Sequence, residues 1–167
     1  MKKTAIILGA TGLTGSHVLE QLLSDANYET VKLFSRAPAG ISHPKVKEYI
    51  GDLLALEGFQ EHLTGDELYI CIGTTKKKTP NHEQYRNIDL GIPLQAVEIC
   101  KNNGVCKVAV VSAIGANAKS SIAYNKIKGE MEHAVLNANI EYTYILRPSF
   151  IAGNRQEYRA GEKMGVA

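Results

Sequence analysis

The sequence has no tryptophan and only three cysteines in 167 residues. Cys71, Cys100 and Cys106 are odd in number and lack paired spacing, which argues against a disulfide framework and a zinc site. Free buried thiols are expected instead, and no metal site is expected. Charge of one sign is also lacking. The formal net charge is +2, too mild to argue for nucleic-acid or membrane-surface binding. No apolar run approaches the roughly 20 residues of a membrane span. The run after Lys2 and Lys3 stops at Gly9, so no signal-peptide pattern opens the sequence. A cytoplasmic protein is the resulting expectation. There is no internal repeat and no low-complexity stretch. With 44% hydrophobic residues, the composition is ordinary for a globular protein, and the length favours a single domain over residues 1–167.

What is present is concentrated at the start. Thr4-Ala5-Ile6-Ile7-Leu8 is an apolar, partly β-branched run that reads as a buried strand. It leads into Gly9-Ala10-Thr11-Gly12-Leu13-Thr14-Gly15, a G-x-x-G-x-x-G pattern. Val18, Leu19, Leu22 and Leu23 then recur at helical spacing. Strand, glycine turn and helix are the phosphate-binding opening of a dinucleotide-binding unit. Gly9 permits a sharp turn, Gly12 a close approach to a pyrophosphate, and Gly15 close helix–strand packing. Free N–H groups near Leu13 and Thr14, with the helix dipole, would face the anion.

Further along, strands and helices alternate. Glu29 to Ser35 alternates with period two and reads as a second strand. At its end stand Ser35 and Arg36, with no acid. An acid here would suit a ribose 2′-hydroxyl, whereas an arginine suits a 2′-phosphate, so NADP(H) is expected over NAD(H). Val46 to Ile50 is a short third strand. On chemistry alone Asp52, after Gly51 and before Leu53, can cap the short amphipathic helix expected over Leu54 to Leu63; the small residue and aspartate at this strand end also resemble the adenine-contacting step of short-chain dehydrogenases, and both can hold together. Glu67 to Ile72 is the fourth strand. The small residues Gly73, Thr74 and Thr75 after it would let the chain pass close under a ribose. Lys76 to Lys78 reads as a solvated loop, with a role near phosphate or an acidic partner as the alternative, and His82 to Tyr85 reads as polar and exposed. Ile88, Leu94, Val97 and Cys100 mark a helix in which Pro93 is awkward unless it lies in a first turn or at a kink. Lys107 to Ser112 is a fifth strand, Ile122 to Leu136 a helix and Ile140 to Leu146 a sixth strand. This alternation predicts an α/β, Rossmann-type, doubly wound parallel sheet with helices on both faces.

Three residues form a candidate catalytic set. Ser112 ends a strand, where open α/β sheets bind ligands. Tyr124 and Lys128 are four apart, so one helical face presents both. Hydride chemistry on a carbonyl needs a proton donor beside the oxygen, and a tyrosine backed by a lysine ammonium suits that role. Ser112 would hydrogen-bond the same oxygen and position it.

The glycine pattern, Ser112 and Tyr124-x-x-x-Lys128 resemble the atypical short-chain dehydrogenase/reductase group. Gly73-Thr74-Thr75, Lys119-Ser120-Ser121, Lys128-Gly129-Glu130-Met131-Glu132 and the run from Arg155 to Glu162 narrow the resemblance to the Tat-interacting protein (CC3) family and its bacterial relatives. The resemblance implies a Rossmann fold and NADPH binding, with Ser112, Tyr124 and Lys128 in the catalytic positions. It also implies that Lys128 reaches the nicotinamide ribose and that Arg147-Pro148-Ser149-Phe150 lie near the nicotinamide. Similar proteins continue past the Arg155 to Glu162 run, so the substrate-side part is expected to be missing or short here. The expected activity is an NADP(H)-dependent oxidoreductase acting on a small carbonyl or alcohol. The alternatives are an NADPH-binding regulator with a protein partner and no turnover, and a nucleotide-sugar epimerase or dehydratase.

Overall fold

A computed structural model describes residues 2–149 and 151. Six strands, β1 (Lys3–Leu8), β2 (Tyr28–Ser35), β3 (Val46–Ile50), β4 (Glu67–Ile70), β5 (Lys107–Val111) and β6 (Tyr142–Leu146), form one sheet in the order β3-β2-β1-β4-β5-β6. Every pairing is parallel. The expected α/β Rossmann-type fold is therefore what the chain adopts. Strand order reverses at β1, so the crevice between the ends of β1 and β4 is the topological switch point where such sheets take ligands.

The alternating side chains of the central strands divide into two cores. Ala5, Ile7, Val31 and Leu33 pack against Leu19 and Leu22 of α1 (Leu13–Ser24). Ile6, Leu8, Phe34, Leu68, Ile70, Val108 and Val110 face the other way, against the remaining helices. Those helices are α2 (His82–Arg86), α3 (Ile92–Asn102) and α4 (Ala123–Asn137). Both faces of the sheet therefore carry helices, as expected of strands that read as near-continuous apolar runs.

Two local expectations need correction, and a third, for Pro93, holds. Leu54 to Leu63 does not form a regular α-helix. A 3-10 segment, Leu53–Phe59, takes its place and is broken by non-helical geometry at Ala55. His82, Glu83 and Gln84 are exposed as expected, but Tyr85 is buried, and the stretch is the start of α2, with Asn81 capping by accepting from the N–H of Gln84. The apolar period missed this turn because only Tyr85 points inward. Pro93 is accommodated because α2 runs into a single π-helical stretch, Asn87–Gly91, and Pro93 falls in the first turn of α3.

The face covered by α1 is only partly clothed. Register places Tyr69, Ala109 and Tyr144 in one row and Lys107 and Tyr142 in another, both on the side of Ile7 and Ala5. Tyr142, Tyr144 and Leu146 of β6 are exposed. A groove of about 410 Å³ runs between α1 and Tyr69, ending at Ile151.

Candidate functional site

The glycine loop has the geometry that its sequence demands. Gly9 has φ +89°, and a Cβ on it would meet the backbone of Cys71 and Ile72 at 2.8 Å. A Cβ on Gly15 would lie 2.0 Å from the Gly9 carbonyl oxygen. Neither position admits a side chain without moving backbone. Gly12 is the N-cap of α1, and no side chain caps that end. The first-turn N–H groups of Leu13 and Thr14 thus open onto the crevice beside exposed Thr11, an arrangement that fits an anionic pyrophosphate.

Because all strands are parallel, the other expected residues gather at the same edge. Ser35 and Arg36 follow β2. The Ser35 hydroxyl donates to the Ala37 carbonyl at 2.7 Å, and Arg36 is exposed. Asp52 follows β3 and accepts from the N–H of Leu54 at 2.9 Å, the cap predicted for it. Leu53 is buried, with its side chain packed in the core. On the opposite side of the glycine loop lie Gly73, Thr74 and Thr75 after β4. The Thr74 hydroxyl pairs with that of Thr79 at 2.8 Å, and the Thr75 hydroxyl oxygen accepts from the N–H of Lys78.

Lys128 is buried near this turn, one helical turn from exposed Tyr124 on α4. Its ammonium lies 3.0 Å from Oδ1 of Asp89, which is almost wholly buried. Oδ2 of Asp89 accepts from the N–H of Thr74 at 2.8 Å. Asp89 comes from the π-helical stretch before α3. Sequence reasoning missed it, although an acid in an otherwise apolar helical face is a signal that can be read.

Ser112 lies at the end of β5. It is buried, and its hydroxyl donates to Glu132 Oε1 at 2.5 Å. In this arrangement its one hydrogen is directed at α4. Glu132 is one turn beyond Lys128 on α4 and also accepts two bonds from Arg147, at 2.9 and 2.5 Å. Burial pushes the Glu132 carboxyl up, but the bonds from Arg147 and Ser112 and the Arg147 charge outweigh this and hold it below the usual range. Arg147 is thus tied to α4, while the Pro148 carbonyl accepts from Ile114. Ser149 follows at the same strand end. Phe150 and the Arg155 to Glu162 run lie outside the described residues.

The fold and the glycine loop define a dinucleotide-binding α/β protein. The chain matches, over residues 9–165, the model of a family described as NAD(P)H-binding, and it belongs to that family. Curated relatives match most of the chain. Protein FMP52, mitochondrial, of Candida glabrata is 31% identical over 96% of this chain and 69% of its own length. The Aspergillus fumigatus protein of the same name is 32% identical over 93% and 70%. These relatives are named mitochondrial, which overturns the expectation of a cytoplasmic protein. Among solved structures, WbmG of Bordetella bronchiseptica in complex with NAD superposes with a TM-score of 0.75 at 10% identity, covering 88% of this chain and 53% of that one. MoeE5 in complex with UDP-glucose and NAD gives 0.71 at 19%, covering 86% and 53%. These likenesses show the fold; the chain spans about half the length of the structures it matches. A short-chain dehydrogenase/reductase superfamily protein from Agrobacterium tumefaciens with bound NAD is a further neighbour, with a TM-score of 0.71. The broader resemblance to short-chain dehydrogenases thus holds at the level of fold.

Proposed function

We propose that this protein is an NADP(H)-dependent oxidoreductase of the atypical short-chain dehydrogenase/reductase group, acting on a small carbonyl or alcohol. The observation that carries the proposal is the pairing, across one crevice, of an open helix N-terminus at the glycine loop with a buried lysine on the far side. A bound nicotinamide cofactor would supply the hydride. The glycine loop would hold the pyrophosphate, and Arg36 would take the 2′-phosphate at the β2 end. Lys128 would bind on the nicotinamide side, and Tyr124, exposed one turn away, would give or take the substrate proton. The residues resembling the Tat-interacting protein family support the same assignment and the NADPH preference.

A second function is favoured by one observation. The Ser112 hydroxyl donates to Glu132 and not into the crevice in this structure. An NADPH-binding protein that changes partner binding with cofactor state needs no such donor. Two measurements separate the possibilities. NADPH and NADH are titrated against wild type and Arg36→Ala. NADPH should bind at least about tenfold tighter to wild type, with the preference lost in the variant; equal wild-type affinities would remove Arg36 from its role. A panel of aldehydes and ketones is then screened by NADPH oxidation. Tyr124→Phe should lower turnover by roughly 10²–10⁴-fold with cofactor affinity kept. Substrate-dependent oxidation that survives unchanged in the variant would rule out Tyr124 as the acid/base.

A further inference from the structure

The lysine run Lys76 to Lys78 has no part in the proposed cofactor contacts, and the fold sets it at the same sheet edge. Thr74 and Thr79 close a short loop after β4 through their hydroxyls, with the three lysines, all exposed, at its tip. The loop is rooted at Asp89, which accepts from the N–H of Thr74 and holds Lys128 of α4. Tyr124 stands one helical turn, about 6 Å, before Lys128. Two residues span at most about 7 Å of backbone, so Lys76 stays close to the anchor that also fixes the helix carrying Tyr124.

The loop after β5 adds another cation. Lys119 is exposed, and the loop carrying it is seated on α4. Asn117 donates its N–H to the Asn125 carbonyl, and a Cβ on Gly129 would lie 2.1 Å from the Ala118 nitrogen. Asn125 and Gly129 directly follow Tyr124 and Lys128 in the chain, so Lys119 flanks the same end of the helix. Residues 68–82 and 112–129 hold Lys76, Lys77, Lys78, Lys119, Lys126 and Lys128 and no aspartate or glutamate. Among the acids of the adjoining segments, Asp89 is taken by Lys128 and Glu130 by Arg86. Exposed Glu83 of α2 is left to offset a run of three lysines.

The cofactor does not call for this charge. Its pyrophosphate and 2′-phosphate belong to the glycine loop and Arg36, at the β1 and β2 ends. The β4 and β5 ends take the nicotinamide half, whose ring is cationic when oxidised. Ammonium groups clustered there repel one another and that ring, while the field at the mouth of the crevice draws anions in. Apolar surface adjoins them, since Ile114 and Ile122 of the β5 loop are 63% and 60% exposed.

We infer that the substrate is an anion: a carbonyl compound whose carboxylate or phosphate meets the tip of the β4 loop and Lys119 while its carbonyl lies at Tyr124. This rests on the proposed oxidoreductase activity and narrows its substrate class.

The test compares matched aldehydes by NADPH oxidation with the full chain: 4-formylbenzoate, its neutral methyl ester and 4-formylphenyl phosphate. Wild type should show a KM at least about fivefold lower for an anionic member than for the ester, with similar kcat. That advantage should shrink to within about twofold in the triple variant Lys76→Gln, Lys77→Gln, Lys119→Gln, and in wild type at about 0.5 M salt. KM for the ester and NADPH affinity should stay within about twofold of wild type, which shows the variant intact. The better of the two anions identifies the group as carboxylate or phosphate. An ester as good as either anion, an anion preference that survives the triple variant, or turnover confined to neutral aldehydes and ketones would overturn the inference and leave the oxidoreductase activity standing. Loss of NADPH affinity in step with the anion preference would assign the lysines to the cofactor and overturn it too. Binding to phosphatidylserine vesicles through the same lysines, without discrimination between acid and ester, would make them a membrane contact and overturn it as well. If no aldehyde or ketone drives oxidation in wild type, the activity falls and the inference falls with it.

Discussion

Ser112→Ala decides between two roles for one hydroxyl. The structure places that hydroxyl in the interior, donating to a carboxylate at 2.5 Å. A hydrogen bond to a charged group contributes roughly 1.5–3 kcal/mol. Alanine removes the donor and leaves Glu132 with its two bonds from Arg147, so the carboxylate stays paired. The expected loss is therefore near 2 kcal/mol, not the larger penalty of an orphaned buried charge. With a urea slope of about 1–3 kcal/mol/M for a domain of this kind, the midpoint should fall by about 1 M. NADPH affinity should stay near that of wild type, and turnover on any substrate found should fall by less than about tenfold. A donor to the reacting oxygen would behave in the opposite way. Its loss would cost about 10²–10³ in turnover and leave the urea midpoint unmoved. The assay is a urea titration followed by circular dichroism, run beside the NADPH oxidation screen. An unshifted midpoint together with a hundredfold loss of turnover would refute the structural role argued for Ser112.

Other expectations follow from groups outside the crevice and at its floor. Burial pushes the Glu67 carboxyl up, but hydrogen bonds from Tyr28, Tyr69 and Lys3, and the Lys3 charge, overcome this and hold it at about 2. A depressed carboxyl stabilises the fold above its ordinary value of 4.5 and loses that contribution as pH falls toward about 2. Allowing for solvent at the Lys3 end, the span is about 2–3 kcal/mol. Glu67→Gln should therefore be less stable than wild type at pH 7, with the gap closing by pH 2.5 in urea titrations. A gap that stays constant with pH would show that ionisation of Glu67 is not what matters. Gly15→Ala places a methyl 2.0 Å from the Gly9 carbonyl oxygen. It should destabilise by about 1–3 kcal/mol and weaken NADPH far more than Ser112→Ala does; wild-type cofactor affinity in a calorimetric titration would contradict the loop geometry.

The sheet was legible because its strands announce themselves. Ile6, Ile7 and Leu8 are apolar on successive positions, as a strand buried on both faces must be. The glycine loop was legible because each glycine answers a local steric demand that short spacing records. The partners of the reactive side chains were not. Asp89 and Lys128 are separated by 39 positions, and Ser112 and Glu132 by 20, so no local period links either pair. Their meeting depends on how α3 and α4 pack on the sheet. Leu54 to Leu63 fooled the period count in another way: the apolar spacing was right, but Ala55 leaves helical geometry and the stretch bends to bury Leu53 and Leu56.

The two carboxylates, Asp89 and Glu132, together explain how α4 is held in place. Tyr124, Lys128 and Glu132 fall one turn apart along the helix. Lys128 is fixed from one side by Asp89, on the segment that follows α2, and α2 itself is tied to α4 through the Arg86–Glu130 ion pair. Glu132 is fixed from the other by Ser112 at the β5 end and Arg147 at the β6 end. Each anchor satisfies a buried charge that would otherwise be costly, so sliding or rotating the helix is opposed at two successive turns. Tyr124 has no such anchor. It is the exposed end of a helix clamped behind it, and its ring is the part left to adapt to whatever enters the crevice. Under the proposed function, a helix held at Lys128 and Glu132 and open at Tyr124 would suit a cofactor bound in one geometry beside substrates of more than one shape, with specificity set by the residues that approach Tyr124.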